Sequence, residues 1–408
     1  MWKNKNKFNM SAQEFVQDAH MHYAWMRDEQ PVCEARISGF PKLYLITRYE
    51  DVNELLRDPR VIKNPSKAKT EEGRSGEAWM PKVFRPLMKN MLNTDEPDHR
   101  RLRNLVHKGF TPRRIRELEP RIEAITNQLV DQAQEKALQD GYVDLVQHFA
   151  LPLPVTVIAE LIGIPEEDRP KFHGWAQRIV VNPTPLNMAK ALLPLRNFMR
   201  YTRQLADKRR TEPQDDLLSA LVQAEDEGER FSEDELLAMV FLLLVAGYET
   251  TVGLITNGTL ALLSNPEQLE MLRNDMSLMD SAIEEMLRYD GPLSVGEMNF
   301  AKEPITLHGV TIPKGEVMLF SILSANRDER VFVNPHQLDI TRSPNRHLAF
   351  GQGIHYCLGA PLARLESKVA FKTLLNRCPD LHLGIAPDKV KYTNMPILHR
   401  VQELPVSF

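Results

Sequence analysis

The stretch HLAFGQGIHYCLGAPLARLE, residues 347–366, decides how this chain is read. At its centre Cys357 follows Gly351 and Gly353 and precedes Gly359. Glycine has no Cβ, so this backbone can pass close to something flat. The pattern that follows predicts a helix from about 358 to 377. The first N–H groups of such a helix have no partner within it and point towards the sulfur. Donors of that kind lower a thiol's pKa, so the spacing predicts a thiolate at Cys357. A lone cysteine is more often an inert buried thiol. Here Phe350, the glycines and His355 stand at fixed offsets around it, whereas Cys33 and Cys378 lack such surroundings and are read as structural.

Composition narrows the class. Net charge is −4 and 26% of residues are charged, with no block of like charge long enough for a nucleic-acid arm. Three distant cysteines give neither a disulfide framework nor a metal finger, and they fit a reducing cytoplasm. The opening MWKNKNKFNMSAQEF has no apolar centre, so no signal peptide or membrane anchor is expected. The most hydrophobic stretch, Leu236 to Tyr248, meets Glu249 short of the roughly 20 residues a membrane span needs. It is expected to be a helix buried in protein.

The 408 residues would by length alone make two or three domains. The pattern argues instead for one intertwined domain over 1–408, mainly α with a smaller β region. A strand is expected at 42–47, then an irregular loop at 62–92. Helical periodicity follows at 96–109, 113–138, 154–162, 166–181 and 188–210, with prolines expected to cut these segments apart. The longest helix should run from about 232 to 264, opened by the Ser232/Glu235 capping box and ended by Asn265-Pro266. Strand-like runs at 304–308, 310–312, 316–322, 380–385 and 391–408 suggest a β part built from both ends of the chain.

Three further motifs bear on chemistry. AGYETT, residues 246–251, sets a glycine, an acid and two threonines inside that apolar helix, against local propensity. The Thr250 hydroxyl can bond back to the carbonyl of Ala246. If it leaves that carbonyl, a small groove opens at Gly247. Glu285 and Arg288 share a helix face at i, i+3, as do His99 and Arg103 at i, i+4. Taken alone, each pair reads as a surface pair or a solvated basic face.

Together these motifs resemble the cytochrome P-450 family of haem-thiolate monooxygenases, soluble bacterial type. The family pattern Phe-x-x-Gly-x-x-x-Cys-x-Gly is matched by Phe350, Gly353, Cys357 and Gly359. The pattern Ala/Gly-Gly-x-Asp/Glu-Thr is matched by Ala246, Gly247, Glu249 and Thr250. The resemblance covers nearly the whole chain. It implies an α+β cytochrome P-450 fold with the long central helix over haem b, iron protoporphyrin IX. It implies Cys357 as the iron ligand, with Phe350 in the ligand loop. His99, Arg103 and His355 would bind propionates. Glu249 would relay protons, and Thr250 would steady the oxygen bound at iron. Arg342 would complete a buried Glu285–Arg288 pair. One position departs from the pattern: Asn299 stands where many members carry a propionate-binding arginine.

By the same resemblance, one atom of O2 enters a lipophilic small molecule, by hydroxylation or epoxidation. No reductase sequence follows the motifs, so electrons are expected from a separate ferredoxin or flavodoxin-type donor with its reductase. Arg103, Arg346 and Arg364 are candidates for docking it. The pocket would draw on Trp79, Met80, Phe84, Met88, Met91, Val180, Leu186, Leu242, Val245, Leu293, Val295, Met395 and Ile397. A peroxide-driven peroxygenase and a non-catalytic haem-thiolate sensor are the rival readings. The Glu249–Thr250 pair argues against both.

Overall fold

The computed structural model describes residues 8–37, 40–68, 82–179, 185–225 and 228–408. The pocket candidates Trp79, Met80 and Val180 lie outside them.

The main helices are α1 (Asp98–Gly109), α2 (Glu119–Asp140), α3 (Pro152–Ile162), α4 (Arg169–Ile179) and α5 (Pro185–Thr211), then α6 (Glu233–Leu263), α7 (Met279–Asp290) and α8 (Ala360–Arg377). The strands are β1 (Phe8–Asn9), β2 (Val32–Ile37), β3 (Phe40–Ile46), β4 (Val61–Ile62) and β5 (Val143–Asp144), then β6 (Asn299–Ala301), β7 (Ile305–Leu307), β8 (Val310–Ile312), β9 (Val317–Phe320), β10 (His382–Leu383) and β11 (Pro405–Ser407). Six form one sheet in the order β1-β2-β3-β9-β6-β4; β10-β11-β5 form a second, and β7-β8 a hairpin.

One expectation about order is corrected. Prolines do not cut every helix, because α5 runs unbroken through Pro194. The proline costs one backbone bond, and burial of Ala191, Leu195 and Phe198 on that face offsets it. The larger sheet does join the two ends of the chain, because β3 pairs with β9 and β4 with β6; only the tail strands β10 and β11 stand apart, in a second sheet with β5.

The longest helix begins as its cap predicts. Ser232 Oγ accepts from the Glu235 N–H, and the Glu235 carboxylate accepts from the Ser232 N–H at 2.8 Å. The helix does not stop at Glu249. It continues to Leu263, and by length and a mean hydropathy of 1.9 it could cross a membrane. Its second half is instead buried in protein from Thr251 to Leu262, as in the core helix of a globular fold.

Polar ties hold α6 in place. Asn257 donates to Asp290 O at 3.0 Å and His399 O at 2.8 Å, and accepts from Val401 N at 3.1 Å. Asp290 in turn accepts from His20 at 2.7 Å, His399 at 2.9 Å and Tyr392 at 3.0 Å. The end of α7, the N-terminal helix Ala19–Glu29 and the tail therefore meet beside α6.

Candidate active site

Cys357 sits just before α8 and is half-buried. Its N–H donates to Phe350 O at 2.9 Å, which closes the loop. Gly351 and Gly353 have φ of 68° and 69°, a left-handed backbone that a Cβ would strain. The backbone of Gly359 and Ala360, at the start of α8, pulls the Cys357 thiol down, in the direction the helix-end argument requires. Even so, burial pushes the thiol up, and that pull, with Arg103 and Arg364, only partly offsets it. Burial thus opposes the helix end, and a metal ion bound to such a thiol removes its proton outright.

Around the loop the predicted residues come together. The His99 and His355 rings lie 4.4 Å apart, centroid to centroid. Arg103 donates to Ile354 O at 3.1 Å and Tyr356 O at 2.9 Å, so it braces the loop that carries Cys357. His99 is buried, yet neither ring nitrogen has a partner. Burial, then the charges of Lys63, His99 and Arg103, pull His355 down to about 3. The set fits a haem: a sulfur ligand flanked by imidazole and guanidinium donors, with buried polar atoms left for an anion.

Two arginines near the loop are committed to the fold. Arg364 grips Glu284 at 2.6 and 2.8 Å and lies 4.4 Å over the Phe350 ring. Arg342 reaches Glu285 at 3.0 Å. Glu285 also holds Arg288 at 2.7 and 2.8 Å, and neither side chain of that pair is exposed. Arg346, in contrast, is exposed.

On α6 the Thr250 hydroxyl donates to Ala246 O at 3.1 Å. Ala246 itself is exposed, in a helix whose neighbours Leu244 and Tyr248 are buried. With that bond made, the helix is in its closed form at Gly247. A Cβ on Gly247 would lie 3.1 Å from Ile158, so this glycine serves the close packing of α3 on α6. Glu249 Oε2 lies 3.6 Å from Arg400 Nε, with no hydrogen bond to it. His173 of α4 stands against the Tyr248 ring at 5.5 Å.

The most informative residue missed in the sequence is Glu366. It is 1% exposed, and neither carboxyl oxygen has a hydrogen-bond partner. Burial raises it well above the usual carboxyl range, against a weaker pull from Thr251 of α6. Its signal was present in the quoted stretch, since Glu366 shares the buried face of α8 with Leu362, Val369 and Ala370. Arg400 and His173 gave no signal, because nothing local ties them to Glu249.

Comparison with known proteins agrees with this architecture. The sequence profile of the family described as Cytochrome P-450 matches residues 40–381. Cytochrome P-450 107B1 of Saccharopolyspora erythraea is 46% identical over 394 residues, covering 96% of this chain and 95% of that protein. The structure of the Bacillus subtilis bacillaene polyketide synthase cytochrome P-450 PksS superimposes with a TM-score of 0.90 at 41% identity, covering 98% of this chain and 99% of that one. Myxobacterial cytochrome P-450 CYP267B1, solved in complex with myristic acid, gives 0.89 at 38% identity, covering 98% of each chain. Fold and cysteine loop together define a haem-thiolate oxidoreductase. The chain belongs to the cytochrome P-450 family. It is a monooxygenase, and its cofactor is haem b held through a cysteine thiolate.

Proposed function

We propose that Cys357 is the iron ligand, that His99, Arg103 and His355 bind the haem propionates, and that Phe350 shapes the ligand loop. The buried His99 ring, both of whose nitrogens lack a partner, set edge-on against His355 beside the Cys357 loop, carries this reading. Bound there, haem supplies the oxygen activation that lets one atom of O2 enter an organic molecule.

The chain's own part is proton handling. Reducing the second oxygen atom to water consumes two protons and two electrons. Glu249 carries protons inward, and the Thr250 hydroxyl presents them beside Ala246. Glu366, kept protonated by burial, is a second store behind Thr251. The Arg400 guanidinium, at 3.6 Å, holds Glu249 by charge while leaving it free to turn.

The substrate is a lipophilic small molecule with a long or polyketide-like carbon frame. The apolar candidates Leu242, Val245, Leu293, Met395 and Ile397 are all partly exposed, which supports their lining its pocket. Val295, fully buried in the core beneath, backs them. A polyketide pathway enzyme and a myristic-acid complex among the relatives point the same way. Residues 1–408 act as one domain in the cytoplasm, served by a separate ferredoxin or flavodoxin-type donor that docks near exposed Arg346.

The deciding experiment is the absorption of dithionite-reduced, carbon-monoxide-treated protein. Thiolate ligation in the parent and its loss in Cys357→His support the assignment. A histidine-type spectrum in the parent sinks it.

A further inference from the structure

Asn299 leaves a charge missing from one corner of the site. Its own amide carries no charge to fill the gap, and Nδ2 already gives one of its two hydrogens to Glu297 O at 2.8 Å. The adjacent strand supplies one. β4 pairs antiparallel with β6, with Val61 opposite Ala301 and Ile62 opposite Phe300. The next step in that register sets Lys63 opposite Asn299.

The Lys63 ammonium donates to Met298 O at 3.3 Å, which uses one of its three hydrogens. Its backbone is fixed, since the Lys63 and Asn64 N–H groups donate to the two Asp95 carboxylate oxygens at 2.7 and 3.1 Å. The strand register thus brings a cation to the corner at position 299, in addition to Arg103 and the His99 and His355 rings, which meet edge-on. Burial pulls the ammonium down to about 8, against the pull of Glu297 and Asp95. Half-buried, with Glu297 and Asp95 acting on it only at longer range, the ammonium keeps two hydrogens for an anion.

We propose that Lys63 supplies the haem-propionate cation that position 299 lacks, so that the clamp in this chain is Lys63, His99, Arg103 and His355. This rests on the haem reading given above. A change at residue 63 acts on cofactor retention through the propionate, without touching the iron ligand.

The test uses holoprotein whose reduced carbon monoxide absorption is of the thiolate type. Haem transfer to excess apomyoglobin is timed for the parent, Lys63→Met, Lys63→Arg and the double variant Lys63→Met/Asn299→Arg. Lys63→Met is expected to lose haem about ten-fold faster, the loss of one charge-assisted hydrogen bond. Lys63→Arg should stay within about two-fold of the parent, and the double variant should recover most of the loss. The resonance-Raman propionate bending band should shift in Lys63→Met. Parent-like haem loss with an unshifted band overturns the proposal. So does equal loss in the Met and Arg variants with no recovery by Asn299→Arg, which would make Lys63 a packing residue. A parent without thiolate absorption overturns the haem reading itself.

Discussion

The Thr250 hydroxyl rests on the carbonyl of Ala246, 3.1 Å away and one helical turn earlier. The bond satisfies the hydroxyl at rest and leaves it able to swing away, which is what proton delivery asks of it. Thr250→Ala should keep haem content and the thiolate spectrum. Stability should change by no more than about 1 kcal/mol. Electrons should be diverted into hydrogen peroxide. The ratio of product to electrons consumed is the measurement, and full coupling in the variant would remove Thr250 from the relay.

Glu366 predicts a dependence on pH as well as a kinetic effect. Its carboxyl is held protonated in the fold but ionises near the ordinary carboxyl value once unfolded. Above that value the unfolded chain binds fewer protons than the folded one, so stability falls as pH rises. Glu366→Gln should flatten that slope in denaturant titrations from pH 5 to 8. It should also slow product formation and enlarge the solvent isotope effect. Parent-like values for both would confine Glu366 to packing.

Glu284 predicts the opposite slope. Burial disfavours its charge, but Arg364 and His347 outweigh burial and hold it at about 2 against an ordinary 4.5. Stability from this group is present above 4.5 and drains away as pH falls towards 2. Glu284→Gln should lose stability at neutral pH and show a shallower acid limb. It should also free Arg364, which now lies over Phe350. An unchanged acid limb would mean the pair carries no net weight.

The buried Glu285–Arg288–Arg342 cluster should be the least tolerant part of the haem side. Removing Glu285 strands a fully buried guanidinium whose other bonds reach Asn326 O, Pro335 O and Gln337 O. Glu285→Ala should cost about 3–5 kcal/mol in chemical denaturation. A loss under about 1 kcal/mol would show that Arg288 finds water.

What could be read in advance was local. The Cys357 loop, the Ser232 cap and the length of α6 follow from spacing within a few turns. So did the i, i+3 pair of Glu285 and Arg288. The missed features join distant segments. Arg400 meets Glu249 only because Asn257 fixes the tail against α6. Pro194 stays helical only because its face is buried. Lys63 gains meaning only once the β4–β6 register sets it beside Asn299. At Cys357 the sequence displayed the helix end and not the burial that opposes it.

The Asn257 amide also makes the tail a lever. It grips residues 399 and 401 while leaving Arg400 between them to steer Glu249, two turns back along α6. A substitution in that tail, remote in sequence from every haem motif, can therefore retune how tightly oxygen reduction is geared to product without altering iron or pocket. Breeding this enzyme for better coupling should begin at positions 399–402.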